Sequence, residues 1–199
     1  MSGVHRTIGI VVFDGVEELD AVGPWEVLAF WATWWPDDGW RVTTLSPDGA
    51  AVKCAHGLTL VPHHSFADTP PLDIVLHPGG QGTRPQLEDD GHLDWVRARA
   101  AEAEIMASVC TGSLVYAAAG LLAGRPATTH WASLDHLARL DPTIEVRTPD
   151  RFVDDGAVAT SAGVSAGIDL ALHLVARLAG TARAREVRHG IQYDPEPPV

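Results

Sequence analysis

The sequence predicts one α/β domain over residues 1–199, in which helices cover both faces of a mostly parallel central sheet. Short continuous apolar runs, among them IGIVVF at 8–13 and DIVLH at 73–77, have the length and composition of strands that are buried on both faces. Longer segments of helical character alternate with these runs, which is typical of a parallel sheet. Neither an internal repeat nor a Ser/Gly-rich linker interrupts the sequence, so one hydrophobic core is the simplest organisation.

The predicted elements follow one another with short connections. The first strand precedes a helix at 23–34, because Pro24 suits the first turn of a helix. A small β-hairpin is predicted beside the main sheet, and Asp155-Gly156 predicts the turn of a second hairpin. The elements after the first helix are, in chain order, a strand at 40–46, the small hairpin of 52–54 and 59–62, a strand at 73–77, a helix at 91–103, a strand at 105–109, helices at 111–122 and 131–140, a strand at 144–146, a hairpin of 152–153 and 158–161, and a helix at 167–178.

The composition argues against several classes of partner. Asp and Glu number 26 against 14 Lys and Arg, which gives a formal charge of −12, and a surface this acidic repels phosphate groups. We therefore expect no nucleic-acid partner and no membrane partner, and the sequence lacks an apolar run of about 18 residues that could span a bilayer. The two cysteines provide neither a disulfide framework nor a four-ligand zinc site, so a cytoplasmic location is expected.

Cys110 is the strongest candidate for a reactive group. It directly follows the predicted strand at 105–109 and precedes a predicted helix, which is the arrangement of a nucleophile elbow. The N-terminus of a helix is expected to stabilise the sulfur as a thiolate. The alternative is a buried structural cysteine, since free cysteines are among the most buried residues. Cys54 lies within the predicted hairpin and is expected to be structural.

The turn Pro78-Gly79-Gly80 follows another predicted strand. Glycines at this position leave the backbone N–H groups of Gly79 and Gly80 available to stabilise a developing negative charge. The alternative is an ordinary tight turn, which would use the same residues for conformational reasons.

The acidic loop at 14–24 supplies a candidate carboxyl group. The apolar neighbours of Asp20 indicate that its side chain is partly buried, which would raise its pKa and allow it to hold a proton. The alternative role of Asp20 is an N-cap for the following helix. Glu17 and Glu18, in the same loop, are expected to lie on a solvated face.

The ten histidines show no metal-binding spacing, so no metal site is expected. His130 is the best catalytic candidate among them because it follows another predicted strand end, and His77 ends a strand beside the glycine turn. Each of the two, taken alone, is also consistent with a structural histidine. Ser165 fits the G-x-S-x-G pattern in GVSAG, but a serine hydrolase of that type needs its acid and histidine on later loops. We expect this segment to begin a helix that packs near the site.

Four segments in order resemble the ThiJ/PfpI superfamily. The resemblance runs from about Ile8 to Tyr193-Asp194-Pro195 and implies a flavodoxin-like, class I glutamine-amidotransferase-like α/β fold. Thr111 stands where the intracellular-protease branch has His, and Asp20 where the deglycase and chaperone branch has Glu. The pattern is most similar to isocyanide hydratases and to the ligand domain of AraC-type regulators. The four segments are FDGVEELDAVGPWEVL, HPGGQG, SVCTGSLVYAAAGLLAGRPATTHW and VATSAGVSAGIDLALHL.

The resemblance implies that an N-substituted isocyanide is hydrated to an N-formamide. The Cys110 thiolate would attack the isocyanide carbon, and Asp20 would supply a proton to that carbon and later help to activate water. Thr111, through its N–H or hydroxyl, and the N–H groups of Gly79 or Gly80 would position the sulfur and the intermediate. The resemblance further implies a homodimer, a small neutral apolar substrate, and no metal or organic cofactor. Tryptophans at 25, 31, 34 and 35 would line an apolar pocket or a subunit interface, or pack in the core.

Two other functions are consistent with the same residues. One is another cysteine-dependent hydrolase or glyoxalase-like enzyme, which would use Cys110 together with His130. The other is a non-catalytic stress or ligand sensor in which Cys110 is oxidised reversibly.

Overall fold

The computed structural model describes residues 5–195 and is built around a seven-stranded sheet. The strand order is β10-β11-β7-β6-β1-β2-β5, and every neighbouring pair is parallel except β10 with β11. The mostly parallel sheet predicted from the sequence is therefore confirmed. The seven strands are β1 (Arg6–Val11), β2 (Trp40–Ser46), β5 (His64–Ser65), β6 (Ile74–His77), β7 (Ile105–Val109), β10 (Phe152–Asp154) and β11 (Val158–Ser161).

Two small sheets lie outside the central one. The predicted small hairpin is confirmed as the antiparallel pair β3 (Val52–Lys53) and β4 (Thr59–Leu60). A parallel pair, β8 (Pro126–Ala127) and β9 (Glu145–Val146), forms the other. The strand predicted at 144–146 therefore exists but pairs outside the central sheet.

Helices cover both faces of the sheet, as predicted. α1, α6 and α7 pack against one another, whereas α2, α3, α4 and α5 form a second group. No helix in the span from His5 to Pro195 is long and apolar enough to cross a membrane. The helices are α1 (Glu18–Trp34), α2 (Thr83–Gln86), α3 (Asp90–Ala100), α4 (Gly112–Ala118), α5 (Leu134–Leu140), α6 (Ala166–Ala179) and α7 (Thr181–Gly190), with 3₁₀ turns at Pro36–Asp38 and Trp131–Ser133.

The core lies between the sheet and these two helical layers. All residues of β6 and β7 are buried, and so are five of the six residues of β1. This burial explains why these strands are continuous apolar runs rather than alternating ones, since each has a helical layer on both sides.

The first helix begins earlier than the sequence predicts. α1 starts at Glu18, so Asp20 lies in the first helical turn and Pro24 lies inside the helix. A proline ring usually clashes with the residue before it in a helix, but that residue is Gly23, which has no Cβ. The acidic side chains of Glu18 and Asp20 are also at the helix end where the dipole favours negative charge.

Other differences from the predicted elements have local causes. α4 ends at Ala118 rather than at 122, and Gly120 then adopts a left-handed φ of 82°. The helix α7 is not predicted because its sequence, TARAREVRHG, is strongly polar and buries only Val187. The two-residue strands β5 and β8 and the four-residue helix α2 are too short to give a periodic signal.

The topology brings several loops to one edge of the sheet. The strands β1, β6, β7 and β11 are adjacent and parallel, so the loops that follow them meet beyond their carboxyl ends. The approach is close, because a Cβ on Gly112 at the start of α4 would lie 2.1 Å from the carbonyl oxygen of His77 at the end of β6. The absence of a side chain at Gly112 therefore lets α4 begin directly against the neighbouring strand end.

Replacing Gly112 by Ala should reduce the free energy of unfolding by at least about 2 kcal/mol, because the new methyl group can be accommodated only by backbone movement. The matched control is Gly91→Ala in the first turn of α3, where the nearest atom is a side-chain oxygen of Asp89 at 3.3 Å. That control should change the stability by less than about 1 kcal/mol. Urea unfolding of the two variants measures both values, and equal losses would show that the approach of α4 to β6 is not a constraint.

Candidate active site

Cys110 forms the predicted sharp turn between β7 and α4. Its φ is 57°, in the left-handed region that non-glycine residues avoid, and only 6% of its surface is exposed. The backbone N–H of Cys110 donates to the carbonyl oxygens of Ser161 and Ala162 at 3.1 and 3.2 Å. Its own carbonyl oxygen accepts a hydrogen bond from Thr129 Oγ1 at 2.9 Å. The two bonds to the end of β11 and the one from Thr129 hold the strained conformation in place.

Asp20 is fully buried beside the thiol. Its Oδ2 accepts a hydrogen bond from the Gly79 N–H at 3.0 Å, and its Oδ1 has no hydrogen-bond partner within residues 5–195. Burial raises the pKa of the carboxyl to about 7, and the negative charge of Glu17 acts in the same direction. Contact with Cys110 and the N–H groups of Gly79 and Val164 lower the pKa but do not cancel the effect of burial. The raised pKa that the apolar sequence neighbours of Asp20 predict agrees with this buried environment.

Burial also raises the pKa of the Cys110 thiol, to about 12, and the charge of Asp20 adds to the rise. The N–H groups of Thr111 and Val164 lower it by a smaller amount. The expected thiolate is therefore not the resting form, because burial and a neighbouring carboxylate outweigh the start of α4. The two groups titrate as a pair that holds a single proton between about pH 7 and about pH 12.

Thr111 ties the elbow to the glycine turn. Its hydroxyl oxygen accepts a hydrogen bond from the Gly80 N–H at 3.0 Å and lies 3.2 Å from the hydroxyl of Thr83. The Thr83 hydroxyl in turn donates to the Gly80 carbonyl at 2.8 Å. The hydroxyl of Thr111 thus holds the turn, and its backbone N–H faces the sulfur of Cys110.

The glycine turn is used differently from the sequence-based expectation. The N–H of Gly79 donates to Asp20 and that of Gly80 to Thr111, so both are engaged within the protein. A Cβ on Gly79 would lie 2.4 Å from the Thr111 nitrogen and 2.9 Å from Asp20 Oδ2, which leaves no room for a side chain. The turn therefore positions the acid and the elbow. The N–H groups that face the thiol are those of Thr111 and Val164.

Val164 is a site residue that no pattern in the sequence indicates. Its φ of 50° is unusual for a β-branched side chain, and its N–H faces both Asp20 and Cys110. It lies in the GVSAG segment, which was expected only to begin a helix near the site. The neighbouring Ser165 is exposed, and its hydroxyl accepts a hydrogen bond from Arg151 at 3.4 Å. Asp169 is paired with Arg151 as well, so these residues form no serine triad.

His130 is not hydrogen-bonded to Cys110 in the described part of the chain. Its Nδ1 accepts a hydrogen bond from the Ala132 N–H at 3.2 Å, so it caps the turn that follows. Its ring packs on Gly163, where a Cβ would lie 2.3 Å from the His130 Cδ2 atom. The structure therefore places His130 beside the loop that carries Val164. His77 is buried and pairs with His92.

Glu17, Glu18 and His56 form the one group of possible metal ligands found among residues 5–195, with ligand atoms within 4.8 Å of one another. These residues already contact each other. Glu18 Oε1 accepts a hydrogen bond from the His56 N–H at 2.7 Å, and His56 Nε2 lies 3.3 Å from Glu17 Oε2. Glu17 and Glu18 are thus half-buried anchors between α1 and the β3–β4 hairpin, and not the fully solvated face expected from the sequence.

The four tryptophans of the first helix and its end have different environments. Trp31 is fully buried, and its Nε1 donates to Asp38 at 2.7 Å. Trp34 is 67% exposed, and Trp35 is partly buried against the core. Trp25 lines a cavity of about 200 Å³ together with Ala21, Leu60, Val61 and other residues of the hairpin side. Trp25 therefore fits the expected pocket, and neither Cys110 nor Asp20 lines that cavity.

Comparison with known proteins places these features in a family. The DJ-1/PfpI family profile matches residues 6–177. An isonitrile hydratase of Pseudomonas putida is 44% identical over 191 residues, which are 96% of this chain and 80% of that protein. The transcriptional regulator GbdR of Pseudomonas aeruginosa (strain UCBPP-PA14) is 33% identical over 138 residues, which are 69% of this chain but 37% of the regulator. A ThiJ/PfpI family protein from Pseudomonas syringae has a similar structure, with a TM-score of 0.86, 33% identity and coverage of 98% of this chain and 78% of the other.

Replacing Asp20 by Asn should stabilise the protein at about pH 8 and destabilise it by about 2 kcal/mol at about pH 4, where the wild-type carboxyl is protonated and only the cost of the unpaired amide N–H group remains. The folded-state pKa of about 7 lies above the ordinary value of 3.8, so the wild type loses stability as the pH rises between these values. One pKa unit corresponds to about 1.4 kcal/mol, and the unpaired amide N–H group offsets part of the gain, so we expect about 2 kcal/mol at pH 8. Urea unfolding at both pH values measures the difference.

The matched control is Glu26→Gln, which removes an exposed carboxylate from the same helix and should leave stability nearly unchanged at both pH values. A gain for Asp20→Asn that is the same at both pH values would contradict a buried charge as its cause.

Proposed function

This chain belongs to the DJ-1/PfpI family, and we propose that it hydrates N-substituted isocyanides to N-formamides with Cys110 as nucleophile and Asp20 as acid and base. The observation that carries the proposal is that the Asp20 carboxyl and the Cys110 thiol are both buried and face each other beyond the carboxyl ends of the parallel strands. The 44% identity to an isonitrile hydratase over 96% of the chain supports the same reaction.

The pair suits the chemistry of an isocyanide carbon. Hydration requires that this one carbon gain a bond to a nucleophile and also a proton. A neutral apolar substrate brings no charge into the site, so its binding needs no charged residue to be desolvated. Asp20 Oδ1 has no partner among the described residues, which leaves it available to accept and deliver a proton.

In the first step, the Cys110 sulfur forms a bond to the isocyanide carbon. The Asp20 carboxylate takes the thiol proton and passes it to the same carbon, so the S–H bond is exchanged for an S–C and a C–H bond. The product is a thioimidate, R–N=CH–S–Cys110. No atom leaves and nothing is oxidised or reduced, and Asp20 returns to the carboxylate form.

In the second step, water adds to the thioimidate carbon. Asp20 accepts one proton from the water as the C–O bond forms and passes that proton to the nitrogen, which gives R–NH–CH(OH)–S–Cys110 and returns Asp20 to the carboxylate form. Collapse of this intermediate breaks the C–S bond and forms the formamide carbonyl, and the hydroxyl proton returns to the sulfur through Asp20. The sum is one isocyanide and one water converted to one N-formamide.

Backbone donors support both steps. The N–H groups of Thr111 and Val164 face the sulfur and stabilise the negative charge that develops there. The turn at Gly79 and Gly80 holds Asp20 and Thr111 at fixed positions through the two hydrogen bonds described above. Fixed groups of this kind need no reorganisation when the charge appears.

The proposal is tested by formamide production from an aryl isocyanide with purified protein whose thiols are reduced. We expect Cys110→Ala to lose at least about a thousandfold in kcat/KM and Asp20→Asn at least about a hundredfold. His130→Ala is the matched control and should retain most of the activity, because within residues 5–195 His130 caps the turn that follows it and makes no hydrogen bond to the thiol.

Absence of turnover in the wild type would overturn the proposal and favour the sensor. Activity that depends on His130 while Asp20→Asn is nearly silent would instead favour another cysteine-dependent hydrolase.

The rate of hydration should depend on pH through the shared proton. Below the Asp20 pKa of about 7, the pair holds two protons and no base remains to take the thiol proton. We therefore expect kcat/KM to fall about tenfold per pH unit below pH 7 and to be level from about pH 8 to pH 10. Initial rates across this range measure the profile, and a rate that increases as the pH falls would contradict the carboxylate as the base.

A further inference from the structure

Two buried histidines lie directly behind the glycine turn. His77, at the end of β6, is fully buried, and His92, in α3, is 6% exposed. Their Nε2 atoms are 3.0 Å apart, and the rings meet nearly edge to face. The Nδ1 atom of His77 lies 2.8 Å from the carbonyl oxygen of Pro78. The next peptide nitrogen, that of Gly79, is the one that donates to Asp20 Oδ2 at 3.0 Å.

The contacts determine where the protons of this pair are. A carbonyl oxygen only accepts hydrogen bonds, so the His77 Nδ1 carries a hydrogen and donates it to Pro78. In a neutral ring the Nε2 of His77 is then an acceptor, and the His92 Nε2 donates to it. Burial and the neighbouring His92 lower the pKa of His77 to about 3, so this ring stays neutral over the working range of pH. The hydrogen bonds thus run in one direction, from His92 through His77 to the Pro78 carbonyl.

We propose that His77, held by His92, is a positioning residue that locks the Pro78–Gly79 peptide group with its N–H directed at Asp20. In a trans peptide the carbonyl and the N–H point in opposite directions, so fixing one orients the other. This positioning role rests on the proposed function in one respect, which is that it takes Asp20 to be the acid–base group. No other contact described for this peptide group holds its carbonyl by a hydrogen bond within residues 5–195.

The lock is needed because the turn has little conformational preference of its own. The close approach of Thr111 and Asp20 excludes any side chain at position 79, and a glycine there permits either orientation of the preceding peptide. The opposite orientation would direct the Pro78 carbonyl oxygen at the Asp20 carboxylate, which is electrostatically unfavourable. The hydrogen bond from His77 favours the orientation that stabilises the carboxylate.

The same hydrogen bond also strengthens the Gly79 donor. A hydrogen bond to a peptide carbonyl polarises the peptide group, and chains of hydrogen bonds strengthen one another by about 10–30% per bond. The groups that otherwise face Asp20 are the thiol of Cys110, the carboxylate of Glu17 and the N–H of Val164. Loss of the His77 contact therefore weakens the hydrogen bond from Gly79 to Asp20, and the effect of burial then raises the pKa of Asp20 further.

Other groups around the histidine pair do not perform this function. Asp89 caps α3 by accepting the His92 backbone N–H at 3.2 Å, and its charge acts on His92 from that side. The Tyr116 hydroxyl donates to the carbonyl oxygens of Ala107 at 2.8 Å and Val75 at 3.2 Å, so it is engaged with the strands. Its ring packs edge to face with His77.

The test measures the rate of Cys110 alkylation by iodoacetamide from about pH 5 to pH 10, with peptide mapping to separate Cys110 from Cys54. In the wild type the rate should rise with pH and level off near the Asp20 pKa of about 7, because the carboxylate is the base for the thiol. The pH at which the rate levels off is called the break. In His77→Phe we expect the break to move upward by about half a pH unit to one unit. His77→Asn, whose amide can donate to the Pro78 carbonyl, should return the break to near the wild-type position.

Two further variants distinguish positioning from general structure. Tyr116→Phe removes a buried hydroxyl from the same layer and should lower stability without moving the break. His92→Phe leaves the Nδ1 donor of His77 in place and should move the break in the same direction by a smaller amount. This variant replaces His77→Phe in the test if His77→Phe is poorly folded. The proposal is overturned if folded His77→Phe and His92→Phe both keep the wild-type break, or if Tyr116→Phe moves it equally.

This readout is independent of hydration. A break that moves as expected in a protein that produces no formamide would support the lock and overturn the proposed function. Formamide production with a break that does not move would do the reverse.

Discussion

The hydrogen bond from the Gly79 N–H to the Asp20 carboxylate is the contact on which the site depends. It joins the first turn of α1 to the loop after β6, and the thiol reaches the same point from the end of β7. Asp20 and Cys110 are far apart in the sequence, and they meet because β1, β6 and β7 are adjacent parallel strands whose ends lie at one edge. The acid is buried, and the contact with Cys110, this N–H and the N–H of Val164 are what lower its pKa against the effect of burial.

The site combines several conformations and environments that each lower stability. Cys110 and Val164 both have positive φ, and Asp20 is fully buried. The surrounding structure imposes these conformations, since the backbone of Cys110 is hydrogen-bonded to the end of β11 and Thr111 is hydrogen-bonded to the glycine turn. The two strained residues belong to adjacent strand ends and present N–H groups to the same sulfur. Strain and burial are concentrated around the Asp20 carboxyl and the Cys110 thiol.

The sequence predicted most of the sheet and part of the site, and the differences have physical causes. The buried strands and the turn at Cys110 were predictable because continuous apolar runs and a strand–Cys–helix order are local signals. The hydrogen-bond partners of the Gly79 and Gly80 N–H groups were not predictable, because they depend on which side chains other elements bring to the turn. Val164 gave no signal, since a positive φ at valine is imposed by the tertiary structure. His130 follows β8, which lies in a separate small sheet, so the rule for parallel strand ends did not apply to it.

The protonation state of the pair also distinguishes between the alternative functions. Peroxides oxidise thiolates, and redox-sensing cysteines are therefore typically accessible and of low pKa. Cys110 is 6% exposed and its pKa is raised to about 12, which is the opposite environment. In the proposed reaction, Asp20 transfers the thiol proton to the substrate carbon as the sulfur attacks. The reaction therefore needs no thiolate before the substrate binds. The burial and raised pKa of this cysteine thus differ from those of a typical redox sensor and are compatible with the proposed hydration, which is why we favour the enzyme over the sensor.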